Sequence, residues 1–406
     1  MGSDKGTVVL APAGYLLDPD IGSDYERPWR LVEGLAKRGF RVVLVAREVK
    51  RTKDLGPNVQ VEKPPGHAPA SAVGRILDRA NLYLHARRIA NREIANGNTL
   101  VVHHLGPCGE QSPSLIGHVS VPFVYGPVPG VRPPDVKDDE WLSWLLVADS
   151  NVAQAQLSSG VAALGRPFAH RMWRRTVKDA DAVTVEAKAN ALGAIANAVV
   201  IPPGIDVVQF APELGSSGVP GRVIGVGRLL ARKGYDVLIR ALGRTITSHP
   251  QVHLIIVGDG PEQQVLKRLA IRLGVDAAVT FLGNVPRSDL PSLLRTAEVF
   301  CHPATWDNVP FAPLEAMACG LATVVSASGG LPEIVGNAGI VHQVGDDAEL
   351  SAILINLLSN PSMRENLGKA ARARVLERFT WQAMCDSYIE LYDSLTAMRA
   401  VRSPNI

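Results

Sequence analysis

Nowhere in the 406 residues do eighteen apolar residues run together, which excludes an ordinary membrane-spanning helix. No leader is expected either, because Met1-Gly2-Ser3-Asp4-Lys5 runs straight into the strand-like Thr7-Val8-Val9-Leu10, with no apolar h-region and no cleavage site. A cytoplasmic location and no stable membrane insertion are therefore expected. An excess of one charge is missing as well. The 42 basic and 39 acidic residues interleave to a net +3, too balanced for a nucleic-acid footprint, so nucleic acid is not an expected partner. Cysteine is scarce: Cys108, Cys301, Cys319 and Cys385 are far apart, without C-x-x-C spacing or a His-rich partner segment. That excludes a zinc ribbon and a disulfide framework, and reduced thiols are expected. Finally, no G-x-G-x-x-G follows the first strand, which argues against a nicotinamide-dependent redox enzyme.

Aromatics make up only 5% of the chain, while hydrophobic residues reach 46%, mostly Ala, Val, Leu and Ile. This suits buried parallel strands covered by helices. Short β-branched runs alternate with helical patterns throughout. Strands are expected at Thr7–Leu10, Arg41–Val45, Leu100–Val102, Pro122–Tyr125 and Ala182–Val185, then at Arg222–Val226, His253–Val257, Ala278–Leu282, Glu298–Cys301 and Ala322–Ser326. Such repetition implies two doubly wound α/β domains with right-handed crossovers. The densest turn-forming stretch, from Ile201-Pro202-Pro203-Gly204 to Gly218-Val219-Pro220-Gly221, marks the linker. The expected domains are 1–203 and 204–379, with a last helix over 380–406, capped by Thr380, packing back on the first domain. Two basic helical stretches, Arg75 to Arg92 and Arg166 to Lys178, read as solvated faces rather than lipid contacts.

In open α/β sheets, ligands bind beyond the carboxyl ends of the strands, where loops lead into helix N-termini. Four such places stand out. Gly22-Ser23 precedes the helix pattern Trp29, Leu31, Val32, Leu35 and offers a glycine for close approach to a diphosphate. Gly225-Val226-Gly227-Arg228, with Lys233-Gly234 beyond, sets a planar fork and a mobile point charge after a strand, a pair suited to a leaving pyrophosphate. In Trp306-Asp307-Asn308-Val309-Pro310-Phe311-Ala312-Pro313-Leu314-Glu315, two carboxylates stand eight apart around a helix start. Asp307 is expected in the loop and Glu315 two turns into the helix, buried, with ribose hydroxyls to satisfy it. In Val101-Val102-His103-His104, alternation should turn one histidine to the cleft and the other into the sheet packing.

These features, in this order, resemble the retaining glycosyltransferases of family 4, which have the GT-B architecture of two Rossmann-like domains facing a central cleft. The resemblance runs over almost the whole chain and is carried most strongly by Val226-Gly227-Arg228-Leu229-Leu230-Ala231-Arg232-Lys233-Gly234, Val257-Gly258-Asp259-Gly260-Pro261, Phe281-Leu282-Gly283-Asn284-Val285, Leu314-Glu315-Ala316-Met317-Ala318-Cys319-Gly320 and Gly329-Gly330-Leu331-Pro332-Glu333. It implies that Arg228 and Lys233 grip the donor diphosphate, with Gly227 beside it, and that Glu315 binds the ribose. It also implies that Asn284 and Val285 contact the base, while Asp307 and the segment Asn308, Val309, Pro310 and Phe311 meet the donor sugar. Gly22 and Ser23 would form the glycine loop near the phosphates. Gly126-Pro127-Val128-Pro129-Gly130 resembles a Gly-Pro-Val-Gly-Gly-Gly loop of one branch of the family.

The chain departs from the family pattern in two ways: Asp307 replaces a glutamate and reaches about one methylene less far, and Asn308-Val309-Pro310 replaces the usual small or Pro-Phe-Gly continuation. Many relatives also carry an active-site histidine just after the strand where this chain has Tyr125-Gly126, so that role is either lost, taken by backbone, or moved to His103 or His104. Of these His103 is the catalytic candidate, with His104 and Gly126 on the acceptor side.

The implied activity is retaining, metal-independent transfer of a sugar from a nucleotide diphosphate donor. With no membrane segment and only weak basic amphipathic faces, the expected acceptor is a small polar molecule rather than a lipid, in natural-product or thiol biosynthesis, and the expected assembly is a monomer or homodimer. No cofactor is expected. Asp18-Pro19-Asp20 and Asp179-Ala180-Asp181 match the D-x-D metal pattern, but neither completes a metal site with the cations above. Two rivals remain: a nucleotide-sugar epimerase, which needs no acceptor, and a non-catalytic nucleotide-sugar sensor, which binds without turnover.

Overall fold

A computed structural model describes residues 5–20, 23–66, 72–106, 108, 113–128, 168–191, 195–213 and 218–402. The chain divides into two compact units, Met1–Ile201 with Cys385–Ile406, and Pro202–Met384.

The first unit holds β1 (Thr7–Leu17), β2 (Arg41–Val49), β3 (Val59–Glu62), β4 (Thr99–His104), β5 (Phe123–Val128), β6 (Ala182–Val185) and β7 (Ala198–Val200). They form one parallel sheet in the order β3-β2-β1-β4-β5-β6-β7. Val8 to Ala11 and Val42 to Ala46 are fully buried without alternation, because helices cover both faces. One face, with Val9, Val43, Val102, Tyr125 and Val183, packs against Leu82, Tyr83 and Ala86 of the helix Ala72–Ala95 and Trp173 of the helix 168–179. On the other face, Tyr388 and Tyr392 of the helix Trp381–Arg402 lie against His103 of β4. The helix Ser23–Lys37 comes so close to this last helix that a Cβ on Gly34 would stand 2.3 Å from Cys385 Sγ.

The second unit holds β8 (Arg222–Val226), β9 (His253–Val257), β10 (Val279–Gly283), β11 (Val299–His302), β12 (Ala322–Ser326) and β13 (Ile340–His342). All pair in parallel, in the order β10-β9-β8-β11-β12-β13. Its core gathers Leu238 and Leu242 with Leu254, Ile256, Val299, Val324, Leu350 and Leu354. Asp346 starts the helix Asp347–Ser359 by accepting the N–H groups of Ala348 at 3.0 Å and Glu349 at 2.8 Å. Thr380 starts the last helix in the same way, accepting the N–H of Ala383 at 3.0 Å.

Two Rossmann-like parallel-sheet units thus make up the fold. Three strands of the structure, β3, β7 and β13, were not expected. They run only three or four residues and lie at sheet edges, too short for a hydrophobic period to register.

Candidate active site

In the second sheet, β8 and β11 are neighbours whose onward connections run in opposite directions, the crossing point where open α/β sheets bind ligands at the strands' carboxyl ends. β8 ends at Val226 and gives way to Gly227 and Arg228; β11 ends at His302 and gives way to the loop carrying Asp307. The fold therefore brings the second and third sequence segments to one crevice. The loops there pack backbone on backbone. A Cβ on Gly258 would stand 2.1 Å from the carbonyl oxygen of Gly227, and one on Gly329 would stand 1.7 Å from that of Asp307. Only glycine, at φ 125° and 52° respectively, permits those approaches.

Arg228 is exposed at this edge, whereas Lys233 is buried. Lys233 Nζ donates to Asp307 Oδ2, Arg232 NH1 lies 3.3 Å from Asp307 Oδ1, and His302 Nε2 lies 2.8 Å from Asp307 Oδ2. The N–H of Asn308 closes the set at 3.1 Å from Oδ1. Arg232 also donates to the carbonyl of Trp306 at 3.2 Å, and its guanidinium lies 5.5 Å from the Trp306 ring centroid. Burial alone would raise the Asp307 pKa, but Lys233, His302 and Arg232 together pull it well below the usual carboxylate range. Burial pushes Lys233 and His302 down, and the neighbouring arginine adds to both. The two partners thus pull in opposite senses, and the ionised state of Asp307 governs the pair, since three side-chain donors converge on it. The shorter side chain expected to meet the donor sugar is instead the centre of a buried charge cluster.

Glu315 is the fifth residue of the helix Phe311–Ala318, just over one turn in rather than two, and is 3% exposed. Its need for a partner is already met: Arg287 NH1 donates to Oε1. The Arg287 guanidinium in turn lies 5.1 Å from the ring centroid of Phe210, a fully buried residue. Arg287 follows β10 in the same loop as Asn284, which is exposed, and Val285, which is half-buried. Asn308 accepts the Gly330 N–H at 2.9 Å, Val309 is buried, Pro310 stands in extended backbone as the helix cap, and Phe311 begins the helix 6.4 Å from the Trp381 ring.

In the first unit, Gly22 lies outside the described residues, as do Pro129 and Gly130, and Ser23 is the first residue of its helix. His103 and His104 belong to β4, and both are fully buried, which corrects the expectation that one turns to open space. His103 Nε2 lies 2.9 Å from the Gly126 carbonyl and Nδ1 lies 2.6 Å from Tyr392 Oη. A carbonyl only accepts, so Nε2 carries the proton and Nδ1 accepts from the tyrosine. Burial lowers the His103 pKa to about 4, against a small opposing pull from the Gly126 hydrogen bond. A neutral ring with both nitrogens engaged in the core holds a strand to a helix, and the catalytic expectation for His103 is withdrawn. His104 packs edge-on against Tyr83 and Tyr125. Gly126 sits inside β5 at φ 141°, where a Cβ would meet Thr184 Oγ1 at 2.2 Å.

The D-x-D carboxylates have protein partners. Asp18 accepts the N–H of Asp20 at 2.9 Å, Asp20 pairs with Arg51 at 3.1 Å, and Asp181 accepts the Phe123 N–H at 2.8 Å and Arg399 at 3.0 Å. Asp179 lies 3.2 Å from His118 and 3.4 Å from Arg175. Sequence reasoning missed Arg232, His302 and Arg287. The first was visible as a second cation beside Lys233, and the second as the residue just past the expected end of its strand. Nothing in the spacing marks Arg287.

Residues 210–374 match the family described as Glycosyl transferases group 1. The chain spans about half the length of the curated relatives it matches. It is 33% identical over 213 residues, 48% of this chain and 55% of the relative, to a GDP-mannose-dependent monoacylated alpha-(1-6)-phosphatidylinositol monomannoside mannosyltransferase of Corynebacterium glutamicum. Among solved structures, sucrose-phosphate synthase from Thermosynechococcus elongatus aligns with a TM-score of 0.66 and 19% identity, over 97% of this chain and 100% of that one. Anabaena HepE in complex with UDP aligns with a TM-score of 0.65 and 19% identity, over 96% and 100%. At that identity the likeness carries the fold, that of GT-B glycosyltransferases. Among the described residues, no helix is long and apolar enough to cross a membrane.

Proposed function

We propose that this chain is a glycosyltransferase that moves a sugar, with retention and without a metal, from a nucleotide diphosphate sugar to a small polar acceptor in natural-product or thiol biosynthesis. The observation that carries the reading is the crossing point of the second sheet, where Arg228, Lys233 and the Asp307 cluster meet at the ends of β8 and β11. The family match over residues 210–374 supports it. In this reading Arg228 and Lys233 face the charge that grows on the diphosphate as its bond to the anomeric carbon breaks. Donors held in place for developing charge are the largest single contribution in many enzymes. The acceptor attacks on the side from which the nucleotide leaves, and its proton passes to the departing phosphate. Glu315 receives the ribose and the Asn284-Val285 loop receives the base. GDP-mannose, named for the Corynebacterium relative, and UDP-sugars, suggested by the Anabaena complex, are the first donors to test.

The test is calorimetric titration with UDP, GDP, ADP and CDP in EDTA, for the native chain and Glu315→Ala, followed by transfer assays with the matching donor and NMR of the product's anomeric centre. Binding of one nucleotide that weakens in the variant, with turnover in EDTA and an unchanged anomeric configuration, is expected. No binding to any of the four overturns the donor site, and binding without turnover would favour a sensor.

A further inference from the structure

We infer that Arg287 is a positioning residue of the donor site: clamped between the Phe210 ring and the Glu315 carboxylate, it holds Glu315 ionised and aimed to accept the hydroxyl groups of a nucleotide's ribose. The inference rests on the donor-site reading above and assigns a role to a residue that no sequence motif picks out.

Glu315 is 3% exposed on a helix with Leu314, Ala316 and Met317, all fully buried. A carboxylate among such neighbours would take up a proton unless a cation stood against it, and a protonated carboxyl loses acceptor strength. Arg287 is that cation, donating through NH1 to Oε1. It is also the member of the pair open to solvent, its side chain 19% exposed against 4% for Glu315. Its position is fixed from two sides. The guanidinium lies over Phe210, and the turn that carries it is tied by the Asp289 N–H to the Pro286 carbonyl at 3.0 Å, while the Arg287 carbonyl lies 3.4 Å from Gln209 Nε2. A guanidinium stacked on a ring gives up little freedom on binding a carboxylate in its plane, a service an ammonium does not provide. The carboxylate is thereby oriented before any ligand arrives.

Because Arg287 acts through Glu315 on the ribose, its removal should affect nucleosides and spare phosphates. The experiment compares binding of the native chain, Arg287→Ala, Arg287→Lys, Glu315→Gln and the Arg287→Ala/Glu315→Gln double variant to UDP, GDP and inorganic pyrophosphate. A hydrogen bond to a charged group corresponds to roughly 10- to 100-fold in affinity. Arg287→Ala should lose about that much for the preferred nucleoside diphosphate, keep pyrophosphate affinity within twofold, and lose nothing further when Glu315→Gln is added. Arg287→Lys should fall between, and supplies the measurement if the alanine variant does not fold. Unchanged nucleotide affinity in Arg287→Ala, an equal loss for pyrophosphate, or additive losses in the double variant would each overturn the assignment. If the native chain binds neither UDP nor GDP, the donor-site reading itself fails, and this inference with it.

Discussion

Replacing Asp307 with alanine should do more to stability than its position in a loop suggests. The side chains of Asp307 and Lys233 are each 10% exposed and that of Arg232 is 8% exposed, so truncation strands two cations away from water with no opposing charge. A surface pair would contribute about 0 to 1 kcal/mol. Breaking a buried pair costs about 3 to 5 kcal/mol, a large part of the 5 to 15 kcal/mol that about covers a whole domain. At a urea m-value of about 2 kcal/mol/M, the midpoint of the transition should fall by about 2 M. Trp306, whose ring the Arg232 guanidinium covers, reports that transition by fluorescence. Lys233→Met with Asp307→Leu should lose less than Asp307→Ala alone, because it removes the uncompensated charge along with the pair. The pH dependence has a fixed sign. The Asp307 pKa is depressed in the folded state, so its stabilisation is present above the unfolded value of about 3.9 and is lost as pH falls through the folded value. The gap between native chain and Asp307→Ala should therefore close below about pH 4. A midpoint shift under 0.5 M, or a gap that widens at pH 3, would refute the claim that Asp307 compensates buried cations.

Arg228 is exposed at the strand end, and Arg228→Ala should cost roughly 100- to 1000-fold in kcat while lowering the thermal midpoint far less than Asp307→Ala; a loss under tenfold would remove it from the chemistry. Gly126→Ala places a methyl 2.2 Å from Thr184 Oγ1 and 2.5 Å from its carbonyl oxygen, so calorimetric melting should show a loss of about 2 kcal/mol. His103, its pKa lowered to about 4 by burial, should show no imidazole titration by NMR between pH 5 and 8. Because the unfolded chain takes up that proton near pH 6.5, stability should fall as pH drops from 6.5 to 4, by about 3 kcal/mol in all. Burial pushes the Cys319 thiol up to about 12 and Cys385 up to about 11, so thiol reagents at pH 8 should label neither without unfolding, as mass spectrometry of the labelled chain would reveal.

Except for β13, the strands of the second sheet were legible because each holds a continuous apolar run bounded by turn residues. Arg222–Val226, His253–Val257 and Ala322–Ser326 stand in the structure at the limits their sequence suggests. β4 and β5 were drawn too short, since His103, His104 and Gly126 read as residues after a strand rather than in one. A histidine carries no mark of the tyrosine that will meet it 289 positions later. The same limit hid Arg287. Periodicity reports which face a residue turns inward, but the cation that neutralises Glu315 comes from another loop, and only the sheet order brings the two together. Asp307 was singled out because a carboxylate beside a helix start is rare among apolar neighbours, but it was read as a contact to the donor sugar and not as the centre of a buried charge cluster. Its partners were not legible, because no spacing rule pairs Asp307 with a lysine 74 positions earlier.

The first unit is discontinuous in sequence, since the helix Trp381–Arg402 begins in the second unit and, from Cys385 on, belongs to the first. On the ribosome, residues 1 to 201 therefore emerge without the tyrosines that enclose His103, and wait while the whole second unit is made. At roughly 5 to 20 residues per second, that interval lasts roughly 10 to 40 seconds. During it one face of a seven-stranded sheet lacks its final cover, and the later-born unit can close first. The order of synthesis and the order of completion are reversed, so nascent chains stalled before Cys385 should be cut by protease in the first unit and resist it in the second.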